Sequence, residues 1–248
     1  MATSTGHSAF LETRVTLLAR RLLRRREREA LLEAAADEIA PLLVRAGLEK
    51  LVRERPADPF ALEQQLAMVL IVECVLIIHG LDSDESRFIR YWIRRLELVN
   101  LKLILRSKLA GIDNRDTLRS LFNLDPLTTL PLEALLNTDS AEELFRRLET
   151  TPYGKMTRQA CKVYEEETRL FDAEAALDTH YFHGLVQLSR AIPGVPGKQV
   201  RQLLGSWLDQ VNLISLMRFR LTYRLDAPHA YFLLAPGGRR LSLGALQT

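Results

Sequence analysis

One stretch of this 248-residue chain occurs twice, which limits the fold more than any other feature. Residues 96–111, LELVNLKLILRSKLAG, return as residues 208–223, LDQVNLISLMRFRLTY. At an offset of 112, Leu96, Val99, Asn100, Leu101, Arg106 and Leu109 recur as Leu208, Val211, Asn212, Leu213, Arg218 and Leu221. Glu97, Leu105 and Lys108 return as Asp209, Met217 and Arg220. Leu98, Leu101, Leu105 and Leu109 follow helical spacing and are expected to bury together, with Lys102 and Arg106 on another face. The segment LPLEALL (130–136) is echoed by LSLGALQ (241–247) at an offset of 111. Units of this length exceed the roughly 20–50 residues of common helical arrays. They fit a duplicated helical subdomain, and the predicted class is all-α.

Composition supports that class. Only 12 glycines and 10 prolines occur, too few for a fold cut by many turns. A hydrophobic share of 47% with 26% charged residues is ordinary for a globular protein. Lys and Arg total 34 against 31 acidic residues, a balance that argues against a nucleic-acid binder. Cys74 and Cys161 are far apart and form no ligand-like spacing, so a reducing compartment is the default. The polar start MATSTGHSAF lacks the features of a signal peptide. The most apolar run, Leu66 to Ile78, contains Glu73 and is shorter than the roughly 20 residues of a membrane span, so it reads as a buried helix.

Along the chain, residues 8–36 read as one helix with a Leu11, Val15, Leu18, Leu22 stripe. Arg14, Arg21, Arg24, Arg25 and Arg28 lie opposite, a basic face that suits either solvent or an acidic surface. Asp58 and Pro59 mark a capped helix start. Acidic DSDES opens the next helix, whose inner stripe is Phe88, Ile89, Trp92, Ile93 and Leu96. Ser140 and Glu143 have capping-box spacing. Met156 to Ala191 reads as one long helix ended by IPGVPG. The expected domains are 1–155, holding the N-terminal helices and first repeat, and 156–248, holding the second repeat.

Few residues offer catalytic chemistry. Asp178, His180 and His183 in LDTHYFHGL can be imagined around a metal, but no third strong ligand stands nearby and no H-E-x-x-H element occurs. No P-loop, G-x-S-x-G or G-x-G-x-x-G is present. The expectation is therefore no enzyme, no cofactor and no metal. Asn100 and Asn212, if buried, need hydrogen-bond partners and so fix their neighbours. Glu97, Asn100, Leu101, Asp209, Asn212 and Leu213 are accordingly assigned to the fold. Arg106 and Arg218 either pair with Glu97 and Asp209 across copies or line a basic surface.

The ordered motifs resemble a family. LVNLKLILRSKLAG is similar to the NLxxILRxKxxG helix of the C subunit of V/A-type rotary ATPases, which is called the d subunit in eukaryotic V-ATPases. FLETRVTLLARRLL, ALDTHYFHGL and AYFLLAPGGRRLSLGAL resemble further segments of that family in the right order. The resemblance implies a non-catalytic, funnel-shaped rotor subunit on the cytoplasmic face of the membrane, without insertion into it. It would join the central shaft to the proteolipid ring during proton or sodium transport. LDTHYFHGL then becomes a scaffold position. Lys102, Arg106, Lys108, Arg218 and Arg220 become the hypothetical shaft contacts. The family carries three repeats and this sequence shows two, so the expectation is a fragment or a shortened relative. The alternatives are a helical adaptor that binds a membrane complex without transmitting torque and, more remotely, a metal-dependent enzyme.

Overall fold

The computed structural model describes residues 2–20, 22–45, 48–49, 58–167 and 170–241, and among these all regular structure is helical. The chain forms two compact units. The first comprises Met1–Ile89 with Phe122–Thr128, and the second Arg90–Leu121 with Thr129–Thr248.

In the first unit, α1 (Ala2–Ala19) is followed by α2 (Arg25–Glu33), α3 (Ala36–Arg45) and α4 (Pro59–Ile78). The single helix expected over 8–36 is thus divided. Arg20, Arg24 and Arg28 recur every four residues, and such like-charge pairs destabilise a continuous helix. A new start forms where Arg24 N donates to the Glu27 carboxylate at 2.5 Å. Arg21 lies outside the described residues. The expected stripe is only partly covered, with Val15 and Leu22 exposed.

Asp58 caps α4 by accepting from Ala61 N at 2.8 Å, and Pro59 takes the first helical position. The helix extends 20 residues and is long and apolar enough, by composition, for a membrane crossing. Ala67, Ile71, Cys74 and Ile78 form its one buried face, while Leu66, Leu70 and Val72 are exposed. The helix expected to be buried is therefore covered on one face only. It packs against α1, where Leu11 touches Gly80.

Helix α5 (Ser83–Ala110) starts in the first unit and carries the first motif copy in the second. Asp84 and Glu85 suit the positive end of its dipole. Gly111 ends it at φ 67°, and Ile112 N donates back to Ser107 O at 2.9 Å in a Schellman-type close. Leu98, Leu101 and Leu105 are buried as expected, but Leu109, in the last turn of the helix, is 46% exposed.

The second unit continues with α6 (Asn114–Arg119), α7 (Leu132–Leu136), α8 (Ala141–Leu148), α9 (Gly154–Glu167), α10 (Leu170–Ala191), α11 (Gly194–Met217) and α12 (Ala227–Phe232). Ser140 caps α8 by accepting from Glu143 N at 3.2 Å, and the Glu143 carboxylate accepts from Asp139 N at 3.0 Å. The long helix expected from Met156 to Ala191 is two helices, α9 and α10, packed along each other. Lys155, near the start of α9, acts electrostatically on His180 in α10. The start of α9 thus lies near the middle of α10, so the two run antiparallel. Met156, Thr157 and Ala160 on one and Ala173, Leu177 and Tyr181 on the other are buried, which a single straight helix would not achieve.

Each motif copy uses its acid in the same way. Glu97, 1% exposed, accepts from Leu130 N at 3.0 Å, from Thr129 Oγ1 at 2.8 Å, and from Thr129 N and the Tyr153 hydroxyl. Asp209 accepts from Arg240 N at 2.8 Å and Leu241 N at 3.0 Å. Leu130 and Leu241 are the first residues of the two LxLxAL segments, so each acid anchors the start of its segment. Residues 242–247, the remainder of the second segment, lie outside the described residues. Burial, and then the Glu97 charge, push the Tyr153 hydroxyl up, keeping it a donor. Burial also pushes Asp209 up, but backbone N–H groups of Arg240, Leu241 and Arg239 outweigh it and hold the carboxyl below the ordinary range. Asn100 is buried at 1% exposure. Asn212, equally buried, bonds Ala235 reciprocally, donating to its O and accepting from its N, each at 2.8 Å.

Candidate functional site

Three helices of the second unit enclose a concavity of about 450 Å³. Its walls are α5, α10 and α11, together with a π-helical turn over Arg218–Thr222. The α5–α10 wall is held rigidly by the LDTHYFHGL segment. Leu177 and Leu185 are fully buried, and the Tyr181 hydroxyl donates to Trp92 O at 2.8 Å. Tyr181 stacks on Tyr91 with centroids 5.5 Å apart. The Tyr91 hydroxyl end occupies the space a Cβ at Gly184 would need, which explains glycine there.

Lys102, Arg106 and Arg218 all line the concavity, together with Arg95. Arg106 is gripped by Glu174, with Nε and Nη2 donating to its two oxygens at 2.6 and 2.5 Å. This hydrogen bond is the main reason the guanidinium pKa is raised. Lys102 pairs with Asp178. Residues 102 and 106 meet 178 and 174 in reverse order, so α5 and α10 run antiparallel. Arg95 stacks over the Trp207 ring at 5.0 Å. For Arg218, no ion pair with a described carboxylate occurs. The lining thus holds four cations and two carboxylates, a basic surplus.

Lys108 and Arg220 do not line this concavity. Lys108 donates to Leu136 O and to Asn114 Oδ1, the latter at 3.0 Å. Arg220 donates to Leu225 O at 2.6 Å. Each sits beyond the motif arginine and ties down backbone that follows its helix. Arg106 meets Glu174 and not Glu97, whose oxygens are already taken by the Leu130 segment.

Glu174, Phe171 and Tyr223 are lining residues that the motif pattern did not single out. A signal for Glu174 existed: it stands four residues before Asp178, matching the Lys102–Arg106 spacing with opposite charge. Phe171 and Tyr223 stack at 3.9 Å, a contact created by the π-helical turn. That turn inserts one residue relative to the first copy. Leu225 N returns to Phe219 O at 2.9 Å, and Arg224 takes the left-handed position, φ 54°, that Gly111 fills in α5. Asp178 is engaged by Lys102, and among the described residues no group of three His, Cys, Asp or Glu side chains is placed to hold a metal. Burial, then His183 and Lys155, push His180 below its ordinary pKa.

The model of the ATP synthase (C/AC39) subunit family matches residues 11–248. The chain belongs to that family. Among relatives, the C subunit of the A-type ATP synthase of Methanocaldococcus jannaschii is 25% identical over 65% of this chain and 40% of its own length. That of Methanococcoides burtonii is 24% identical over 98% of the chain and 68% of its length. The C subunit of the V-type ATP synthase of Deinococcus radiodurans is 25% identical over 83% of the chain and 58% of its length. The chain spans about half the length of the first curated relatives it matches. Within LDTHYFHGL, Leu177, Tyr181 and Leu185 are buried.

Proposed function

We propose that this chain is a non-catalytic rotor subunit of an A/V-type ATP synthase, linking the central shaft to the proteolipid ring at the cytoplasmic face of the membrane. The family match over residues 11–248 carries this reading. The concavity between α5, α10 and α11 is the proposed shaft contact, because its lining is basic and two of its walls are braced by ion pairs and a tyrosine stack. A braced wall suits torque transmission, since compliant contacts would store rotation as strain. Lys102 and Arg106 act there mainly as braces, while Arg218 is the cation available to a partner. Lys108 and Arg220 serve the ends of the two motif helices.

The test is affinity purification of the tagged chain from detergent-solubilised membranes. Recovery of the shaft proteins and the proteolipid ring supports the proposal, and their absence removes it. Arg218→Glu is expected to reduce shaft recovery without changing helix content. Charge reversal at Arg106 is a poorer test, because it also breaks the Glu174 brace.

A further inference from the structure

Positive charge is concentrated in one short stretch of the chain. Residues 20–28, RRLLRRRER, hold six arginines and one glutamate, although the whole chain has a formal net charge of only +3. The remainder is therefore slightly acidic, and such asymmetry points to an anionic partner. The stretch belongs to the first unit and to the residues that the family model matches, whereas the second motif copy belongs to the other unit. The acids of α2 leave most of this charge uncompensated. Glu27 is half-buried and accepts from Arg24 N, and Glu29 holds Arg25 Nε at 2.7 Å. Among the described residues, Arg20, Arg26 and Arg28 form no ion pair with a carboxylate. Helix α2 also buries none of its nine residues, and a helix this short is marginal without packing of its own. Leu22 and Leu32 are 73% and 87% exposed. Arg25, Arg28 and Leu32, at i, i+3 and i+7, share one face, which sets an apolar side chain among the guanidinium groups.

We infer that this arginine–leucine face docks on the surface of an anionic phospholipid bilayer. Both halves of the pattern have a counterpart there. Guanidinium groups bind phosphate through paired N–H donors, and the leucines reach the apolar boundary directly beneath the headgroups. An acidic protein surface would match the arginines but would set Leu22 and Leu32 against carboxylates. The arginine stems add apolar contact along the same boundary. The docking is a surface contact, reversible and weakened by salt, and it holds α2 without carrying any helix across the bilayer. It requires that the chain work beside a membrane, and it does not require that the chain turn with a ring.

The test is flotation of the purified full chain with vesicles of phosphatidylcholine alone or of phosphatidylcholine and phosphatidylglycerol in equal parts. Binding to the anionic vesicles only is expected, falling on the order of tenfold as salt rises from about 50 to about 300 mM. Arg26→Gln and Arg28→Gln should each weaken it about fivefold, and Leu32→Ser should weaken it at either salt concentration. Arg115→Gln with Arg146→Gln removes two exposed cations of the second unit and should leave binding unchanged. Equal binding to phosphatidylcholine alone, equal loss in both arginine pairs, or no binding at the lower salt overturns the inference. A photoreactive residue at position 32 that crosslinks in cells to an acidic protein in place of lipid also overturns it. An Arg26→Gln, Arg28→Gln chain that no longer floats yet recovers the other ATP synthase proteins supports the inference and the rotor reading together. A parent chain that floats but recovers none of them removes the rotor reading alone. All the substituted residues are exposed, and circular dichroism of each variant confirms folding.

Discussion

Replacing Glu97 with alanine removes the acceptor for four donors that converge on one carboxylate. Thr129 is exposed, so its N–H and hydroxyl can turn to water. Leu130 and Tyr153 are 4% and 1% exposed, and their donors cannot. Each stranded buried donor costs about 1–3 kcal/mol, and the lost side-chain volume adds to that. The expected destabilisation is therefore about 3–6 kcal/mol, a large part of the roughly 5–15 kcal/mol that holds an ordinary domain together. Glu97→Gln keeps one acceptor oxygen, and its amide can donate to the Tyr153 hydroxyl, so about 1–2 kcal/mol is expected. Tyr153→Phe should cost a similar amount alone. Combined with Glu97→Ala it should cost much less, because the hydroxyl left unpaired by the first change is gone. Urea unfolding followed by far-ultraviolet circular dichroism, with linear extrapolation to water, measures each of these proteins. A Glu97→Ala variant within about 1 kcal/mol of the parent, or strictly additive effects, would refute the assignment of Glu97 as the anchor of the 129–130 backbone.

Three other outcomes follow from the repeat. Leu101→Ala should cost about 2–5 kcal/mol while Leu213→Ala, at the same repeat position but 47% exposed, should cost under about 1 kcal/mol in the isolated chain by the same unfolding assay. Arg224→Gly should stabilise by about 1 kcal/mol, read as a raised urea midpoint, because only glycine enters the left-handed region freely. Asp209 titrates below its ordinary value when folded, so its contribution is complete above the unfolded pKa of about 3.9 and is lost as pH falls through the lower folded pKa. Asp209→Asn should therefore flatten the acid limb of a stability–pH profile, and an unchanged limb would count against the backbone anchoring by Asp209.

Local chemistry made some elements legible before any fold was known. Asp58–Pro59 and Ser140–Glu143 form their caps as their spacing suggests, because capping involves only neighbours along the chain. Helical spacing also placed Leu98, Leu101 and Leu105 on a buried face. The same logic failed over 156–191, where periodicity continues through a reversal of direction. It failed again over 8–36, where repeated arginines interrupt an otherwise helical pattern.

By itself, the sequence determined that the chain is helical, where several helices begin, and that one motif is used twice. Those properties depend on residues a few positions apart. Only the tertiary structure decided what the motif's charges do. Glu97 meets a backbone 32 residues away, and Arg106 meets a carboxylate 68 residues away. Identical motif positions were given different surroundings, so Leu101 is sealed while Leu213 is open. Burial and charge pairing arise from which helices lie alongside one another, and a repeat in the chain does not require a repeat in its neighbours.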